Sequence, residues 1–334
     1  TITLIGLIKI GGWGNLVSEL EPSRFNMFLP ADHPDFPWIG MVFAPPIIGV
    51  WYWCTDQYIV QRVLSAKNET HARRGTIFAG YLKLLPIFMF FIPGLIAYAM
   101  SKSGQLNYTS SDQVFPTLVR ELLPSGMRGL VAGGLLAALM SSLSSVFNSC
   151  STLFTIDIYK KLNPDSSEKK LVFVGRIATG IVVITGVLWI PLMQVISSGG
   201  LYKYLQSVQA YIAPPIAAVF LLGIFWSRIN ASGALAALVG GFSAGMVRLG
   251  LEIKKTSLSE GLWLDIAELN FLYFAIFSFL SSVAVMIIVS VLTPAPDLER
   301  LKGLTFSTTV ESDQKISKNS WDNSDVVHSI VIVS

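Results

Sequence analysis

Nine polar side chains interrupt an otherwise apolar stretch at residues 136–159: Ser141, Ser142, Ser144, Ser145, Asn148, Ser149, Ser151, Thr152 and Thr155. Seven of them recur at spacings of three and four, so the pattern predicts one polar side of a helix. Hydrocarbon offers these groups no hydrogen-bond partner, so this side must face other helices or a wet cavity. One interpretation is close helix packing, with hydroxyls bonded across to a neighbour or back to the helix.

The adjacent pair Ser141 and Ser142 favours a second interpretation. Adjacent residues on a helix point about 100° apart, so a single packing seam does not use both. The two hydroxyls and the carbonyl of Ala138, one turn earlier, would supply three neutral oxygens to a hard monovalent cation such as Na+. That carbonyl is available only if its helical bond is weakened, which serine back-bonding and nearby glycines allow. These residues alone leave packing and a Na+ site both open.

A second group of candidate residues is the aromatic run Trp51, Tyr52 and Trp53. It follows Pro45, Pro46 and Gly49, which predict an interruption inside a membrane span. Interrupted helices are typical of transporter binding sites. Aromatic rings stack on the apolar faces of sugars, and the tyrosine hydroxyl adds a polar contact. The alternative is an aromatic belt at the membrane interface.

Two further polar residues lie within apolar segments. Lys83, in "GYLKLLP", is either a ligand-binding cation or a lysine whose ammonium reaches the cytoplasmic interface. Gln206, in "YLQSVQAYIAPP", can donate to and accept from hydroxyl groups at once. Its alternative role is an interhelical hydrogen bond. The residue types do not decide between these roles.

The composition indicates a membrane protein, since 52% of residues are hydrophobic and only 13% are charged. Apolar runs long enough to cross a bilayer predict seven full spans, at about 38–60, 77–100, 129–157, 175–197, 204–226, 231–250 and 270–293. The distribution of Lys and Arg places connectors 61–76, 158–175 and 227–230 on the cytoplasmic side. The few basic residues are dispersed, so no nucleic-acid partner is expected. Residues 241–245 match G-x-S-x-G but lie inside the predicted span 231–250 rather than at a strand-to-helix turn, and no HExxH or P-loop motif occurs, so we expect no enzyme.

Four long motifs resemble the sodium/solute symporters, specifically their sodium/glucose cotransporter branch. They are "WYWCTDQYIVQRVLSAKN", "GYLKLLP", "RGLVAGGLLAALMSSLSSVFNSCSTLFTIDIY" and "YLQSVQAYIAPPIAAVFLLGIFW". The resemblance covers residues 36–250. It implies an all-α, polytopic membrane helical bundle of the leucine-transporter inverted-repeat type, of which this chain would hold the second repeat and the helices that follow.

The resemblance also implies a division of the chain. The expected segments are the end of core helix five (1–12), an outer loop (13–37), the second repeat with core helices six to ten (38–226), two accessory transmembrane helices (227–293), a cytoplasmic linker (294–324) and the start of a last transmembrane helix (325–334). The short apolar runs at both ends indicate an internal fragment. The missing N-terminal half of the same chain would then be its main protein partner, within the lipid bilayer.

By the same resemblance, Na+ is the coupling ion, held by the Ala138 carbonyl and the hydroxyls of Ser141 and Ser142. Sugar contacts are expected at Tyr52, which would gate the site and stack on the sugar, and at Trp53, Lys83 and Gln206. The expected function is secondary active Na+/sugar symport by alternating access, in the plasma membrane or the bacterial inner membrane.

Two alternatives to sugar symport stay open. One is a sugar-gated sensor or channel, and the other is a Na+ symporter for inositol or another small solute. Gln209 stands where vertebrate sugar carriers have a threonine, and this departure leaves hexose and polyol undecided.

Overall fold

The computed structural model describes residues 1–196 and 200–333. Within these residues, seven helical segments are long and apolar enough to cross a membrane: Trp38–Thr55, Glu69–Lys102, Ser125–Leu162, Glu168–Pro191, Leu201–Phe225, Ala231–Ile253 and Phe271–Leu292. This number confirms the seven predicted full spans. Residue 197, the end of the predicted span 175–197, and residue 334, the end of the predicted last segment, lie outside the described residues.

Seventeen α-helices make up the described part of the chain. They are α1 (Ile2–Ile10), α2 (Trp13–Glu19), α3 (Trp38–Val50), α4 (Gln57–Leu64), α5 (Glu69–Leu82), α6 (Ile92–Lys102), α7 (Val114–Leu122), α8 (Ser125–Thr152), α9 (Lys160–Leu162), α10 (Glu168–Ile196), α11 (Leu201–Phe225), α12 (Ala231–Ile253), α13 (Leu262–Glu268), α14 (Phe271–Leu292), α15 (Leu298–Leu301), α16 (Glu311–Asn319) and α17 (Asn323–Val333). Three π-helical turns, Trp51–Thr55, Ile87–Phe91 and Leu153–Tyr159, adjoin α3, α6 and α8.

The chain divides into two compact units. The first unit comprises Thr1–Phe25 and Leu82–Gly200, and the second comprises Asn26–Tyr81 and Leu201–Ser334. The core of the first unit lies where α1, α2, α6 and α7 meet, around Ile96 and Leu118. Gly6 lets α1 approach α6 closely, because a Cβ at this position would lie 2.8 Å from Ile96. In the same unit, α8 packs against α10.

The second unit is built around α11, α12, α14 and α3. One face of α12 is buried and carries small residues at steps of four, namely Gly233, Ala237, Gly241 and Gly245. A Cβ at Gly245 would meet the backbone of Tyr211 on α11, so glycine sets the spacing of these two helices. Such small-residue faces let membrane helices pack closely, because lipid supplies no hydrophobic drive for helix association.

The C-terminal segment packs on the first half of α5. The guanidinium carbon of Arg73 lies 3.9 Å from the centre of the Trp321 ring. Arg74 pairs with Asp322 at 2.7 Å and with the buried Asp325 at 3.2 Å. The backbone N–H of Asp325, followed by the Arg74 guanidinium, lowers the pKa of the Asp322 carboxyl below its usual value. The end of the predicted linker 294–324 is therefore held to a helix by charge pairs and a cation–π contact.

Candidate functional site

The polar stripe of α8 divides into two parts with different surroundings. In the C-terminal part, Ser151 Oγ donates to the carbonyl of Gly175 on α10 at 2.8 Å. A Cβ at Gly175 would lie 2.9 Å from that hydroxyl and 3.3 Å from Thr155 Oγ1, so the helices are in close contact here. Thr152 Oγ1 donates back to the carbonyl of Asn148 at 2.8 Å. Helix packing and back-bonding therefore account for this part of the stripe.

The other part of the stripe contains the predicted ion ligands. Ala138, Ser141 and Ser142 are all exposed on the first unit. Within the described part of the chain, neither serine hydroxyl makes a side-chain hydrogen bond, whereas Ser145 Oγ donates to the carbonyl of Ser141 at 3.1 Å. The helix is continuous through Ala138. The expected weakening of the helical bond at this carbonyl is therefore not needed: a carbonyl has a second lone pair, so it can accept the helical bond and still coordinate a cation.

The aromatic run lies at a helix interruption whose position differs from the expected one. Helix α3 continues through Pro45 and Pro46 as far as Val50, and the chain then forms the π turn Trp51–Thr55. The extended residue is Asp56, which follows the aromatic residues and precedes α4. Membrane helices tolerate internal proline when neighbouring groups satisfy the freed carbonyls, so the two prolines do not end this helix. Single π turns occur frequently at functional sites.

Tyr52 contacts several side chains in and next to this turn. Its hydroxyl lies 2.8 Å from that of Tyr58 on α4. Its ring meets the Trp53 ring edge-on, with centres 5.1 Å apart and an interplanar angle of 88°. The Tyr58 ring is 6.4 Å away at 75°. Burial, followed by the hydrogen bond to Tyr52, raises the pKa of Tyr58 to about 12, so the Tyr58 hydroxyl stays protonated at neutral pH.

Gln206 lies on α11, which packs directly against the π turn in the second unit. The side chain is half-buried and makes no hydrogen bond within the described residues. Tyr52 and Trp53 are thus brought to the helix that carries Gln206. An interhelical bond, the alternative role for this amide, is not formed in the part of the chain that the structure describes.

Lys83 lies in the first unit, at the two-residue turn 83–84 that follows α5. Its side chain is exposed. The break in helical structure at this position was not predicted from the sequence, in which "GYLKLLP" continues an apolar run. Pro86, three residues later, accounts for the break, because proline removes one helical N–H and crowds the preceding turn.

A buried charged cluster was missed in the sequence. Arg248, inside the span formed by α12, is 3% exposed and donates to the carbonyls of Ile266 and Leu269 at the end of α13. Its guanidinium carbon lies 4.8 Å from the centre of the Phe274 ring. An arginine within an apolar span is itself a signal, because such a charge must find partners in the protein. Here its partners are carbonyls that a helix end leaves unbonded.

Comparison with known families now decides the class of this protein. The model of the sodium:solute symporter family matches residues 7–241. The chain belongs to the sodium:solute symporter family. This is a family of transporters rather than enzymes, and membership confirms the resemblance inferred from the four motifs.

Two curated relatives show the range of proteins this chain is similar to. The chain is 40% identical over 318 residues to sodium/glucose cotransporter 1 of Oryctolagus cuniculus, covering 87% of this chain and 47% of the relative. It is 38% identical over 309 residues to sodium/myo-inositol cotransporter 2 of Mus musculus, covering 86% of this chain and 45% of the relative. The chain therefore spans about half the length of the curated relatives it matches.

A solved structure shows the same fold. It is the substrate-bound outward-open state of a Na+-coupled sialic acid symporter, with a TM-score of 0.65 and 22% sequence identity. The match covers 89% of this chain and 60% of that chain. Together with the seven candidate spans, it confirms the predicted all-α membrane helical bundle of the leucine-transporter type.

Proposed function

We propose that this chain forms part of a secondary active symporter that couples Na+ entry to uptake of a sugar or polyol. Na+ would bind at the Ala138 carbonyl and the hydroxyls of Ser141 and Ser142. The sugar would contact Tyr52, Trp53, Lys83 and Gln206. Bound Na+ would favour the outward-open state, and exchange with the inward-open state would release both solutes inside.

The observation that carries this proposal is the aromatic π turn packed against the helix of Gln206. A sugar has apolar ring faces and a rim of hydroxyl groups. The turn supplies ring surfaces at Tyr52 and Trp53, and Gln206 supplies an amide that is not engaged by another described residue. No cationic side chain occurs in the π turn Trp51–Thr55, so this turn itself favours a neutral solute over a carboxylate.

The ion half of the proposal is supported by the contrast within α8. Ser151 and Thr152 are bonded to carbonyls, while Ser141 and Ser142 are exposed and make no side-chain bond among the described residues. Two hydroxyls and one carbonyl form a set of neutral oxygens. Such a set binds a monovalent cation weakly, which suits a carrier that must also release the ion.

The test is Na+-driven uptake by the complete gene product in proteoliposomes, with radiolabelled D-glucose, D-mannose and myo-inositol. We expect accumulation of at least one of them, and its loss when choline replaces Na+. Gln206→Ala should raise the half-saturating concentration at least tenfold, because sugar hydroxyls are left unpaired in the pocket. Gln105→Ala, which removes an exposed amide outside the site, is the matched control and should have no effect.

Two results would contradict the proposal. A Na+ current that depends on sugar but produces no sugar accumulation would indicate a sensor or channel. A Gln206→Ala variant with unchanged half-saturation would remove this residue from the binding site.

A further inference from the structure

An ion pair joins the N-terminal end of α11 to the loop that precedes α3. Lys203 Nζ lies 2.6 Å from Asp35 Oδ1, and the two side chains are 41% and 43% exposed. Lys203 is in the first turn of α11. The N-terminus of a helix carries partial positive charge, so a lysine at this position is unfavourable unless an anion is close by. Asp35 provides that anion.

The loop that presents Asp35 is attached to α14. The amide of Asn270 donates to the carbonyls of Pro34 at 2.7 Å and of Asp35 at 3.0 Å. The hydroxyl of Tyr273 donates to the carbonyl of Ala31 at 2.6 Å. These three bonds hold the backbone on both sides of the loop against one helix.

The interior of the same loop is also ordered by its own side chains. His33 Nδ1 accepts hydrogen bonds from the backbone N–H groups of Asp35 at 3.2 Å and of Phe36 at 3.1 Å. The Phe36 ring packs edge-on against Phe271, with centres 6.4 Å apart. Asp35 therefore lies on a backbone that is held in place, and it serves as the anchor of the pair.

The position of this anchor relates it to the proposed sugar contacts. Lys203 precedes Gln206 by three residues, so both lie on one side of α11. The anchored loop leads directly into α3, which ends in the aromatic π turn. The pair thus ties the start of α11, which carries Gln206, to the start of α3, whose other end continues into the turn that carries Tyr52. All of these residues belong to the second unit.

We propose that the Lys203–Asp35 pair is a positioning device for the sugar site. It holds the first turn of α11 in place, so that Gln206 stays at a fixed distance from the aromatic turn, and it thereby sets the affinity for sugar. The inference rests on the proposed function. Lys203 contacts no sugar itself, so it is a positioning residue that acts through Gln206.

The test measures uptake kinetics of Lys203→Met and Asp35→Asn in the complete gene product, with D-glucose, D-mannose and myo-inositol as probes. Exposed ion pairs are weak, so each change should raise the half-saturating sugar concentration about three- to fivefold. The maximal rate and the half-activating Na+ concentration should stay at the wild-type value. The double variant should be no worse than either single variant, because both remove one interaction.

Two further variants separate positioning from general stability. The charge exchange Lys203→Asp with Asp35→Lys should restore half-saturation to within about twofold of wild type. Lys255→Met is the matched control, because Lys255 pairs with Glu268 at 3.2 Å in the same unit and at similar exposure, but on neither sugar-site helix. It should leave sugar kinetics unchanged.

Several outcomes would overturn the inference. An unchanged half-saturating sugar concentration in Lys203→Met would show that the pair is only a surface contact. Equal effects of Lys203→Met and Lys255→Met on that concentration would show the same. Additive effects of the two single variants would show that they do not act as a pair. If Gln206→Ala raises half-saturation but Lys203→Met does not, the inference alone fails. If Gln206→Ala has no effect, or none of the three probes is taken up, the proposed function fails as well.

Discussion

The hydroxyl bond between Tyr52 and Tyr58 gives the sharpest test of the aromatic turn. The bond is 2.8 Å long and joins the π turn to the first turn of α4. Tyr52→Phe deletes it but keeps the ring that would stack on sugar. The edge-on contact with Trp53 at 5.1 Å is also kept, because it involves only the rings. The substitution therefore separates the hydroxyl of Tyr52 from its aromatic face.

The magnitude follows from the type of bond. The Tyr58 hydroxyl is neutral at physiological pH, since its pKa is raised to about 12. A neutral hydrogen bond contributes roughly 1 kcal/mol net, so uptake at low sugar should fall about fivefold. Tyr58→Phe removes the same bond from the other side and should produce the same fall. The double variant should match the single variants, because the bond can be lost only once.

The assay is sugar accumulation against concentration, with Na+ current recorded in parallel. Tyr52→Ala should abolish accumulation and produce a Na+ leak that sugar does not block, since the closing ring is gone. If sugar uptake falls in Tyr52→Phe but not in Tyr58→Phe, the Tyr52 hydroxyl contacts sugar rather than Tyr58. Normal sugar accumulation by Tyr52→Ala would refute the role of Tyr52 as a gate and would support the alternative, an aromatic belt at the membrane interface.

Four other variants test the remaining assignments. Ser142→Ala should raise the half-activating Na+ concentration roughly tenfold, because the loss of one ligand costs about 1–3 kcal/mol. Ser151→Ala is the control: it should lower thermal stability without changing Na+ dependence. Lys83→Ala should raise the half-saturating sugar concentration mildly. Unchanged sugar affinity with poorer expression would instead support a Lys83 ammonium that lies at the membrane interface. Arg248→Met should reduce the free energy of unfolding by about 2–4 kcal/mol, because the carbonyls of Ile266 and Leu269 lose their charged donor. An unaltered melting temperature in detergent would contradict this.

The spans were predictable because bilayer thickness fixes the length of an apolar run. The seven predicted runs and the seven observed helices agree for this reason. The interruption near Tyr52 was harder to place. Pro45 and Pro46 are the strongest local breakers in that stretch, yet α3 passes through both. The break falls at Asp56, whose carboxylate caps α4 by accepting from the N–H of Tyr58, and a cap depends on geometry that spacing alone does not encode.

Contacts between distant segments account for most of what the sequence did not reveal. Arg74 and Asp322 are 248 positions apart, and Lys203 and Asp35 are 168 positions apart. Charged residues at the ends of spans are expected for topology alone, so nothing in their spacing indicates a partner. Arg248 differs, because a charge inside a span demands a partner, and a search for charges within the predicted spans would have found it.

The roles of the hydroxyls on α8 are not determined by residue type and spacing alone. A serine in a membrane helix can bond back to its own helix, bond across to a neighbour or remain open to a ligand, and its spacing is compatible with all three. The choice depends on what lies opposite. At Ser151 a glycine on α10 brings a carbonyl within reach, and the hydroxyl is used for packing. At Ser141 and Ser142 no described group takes that place, and the proposal of an ion ligand for these two adjacent hydroxyls starts from that difference.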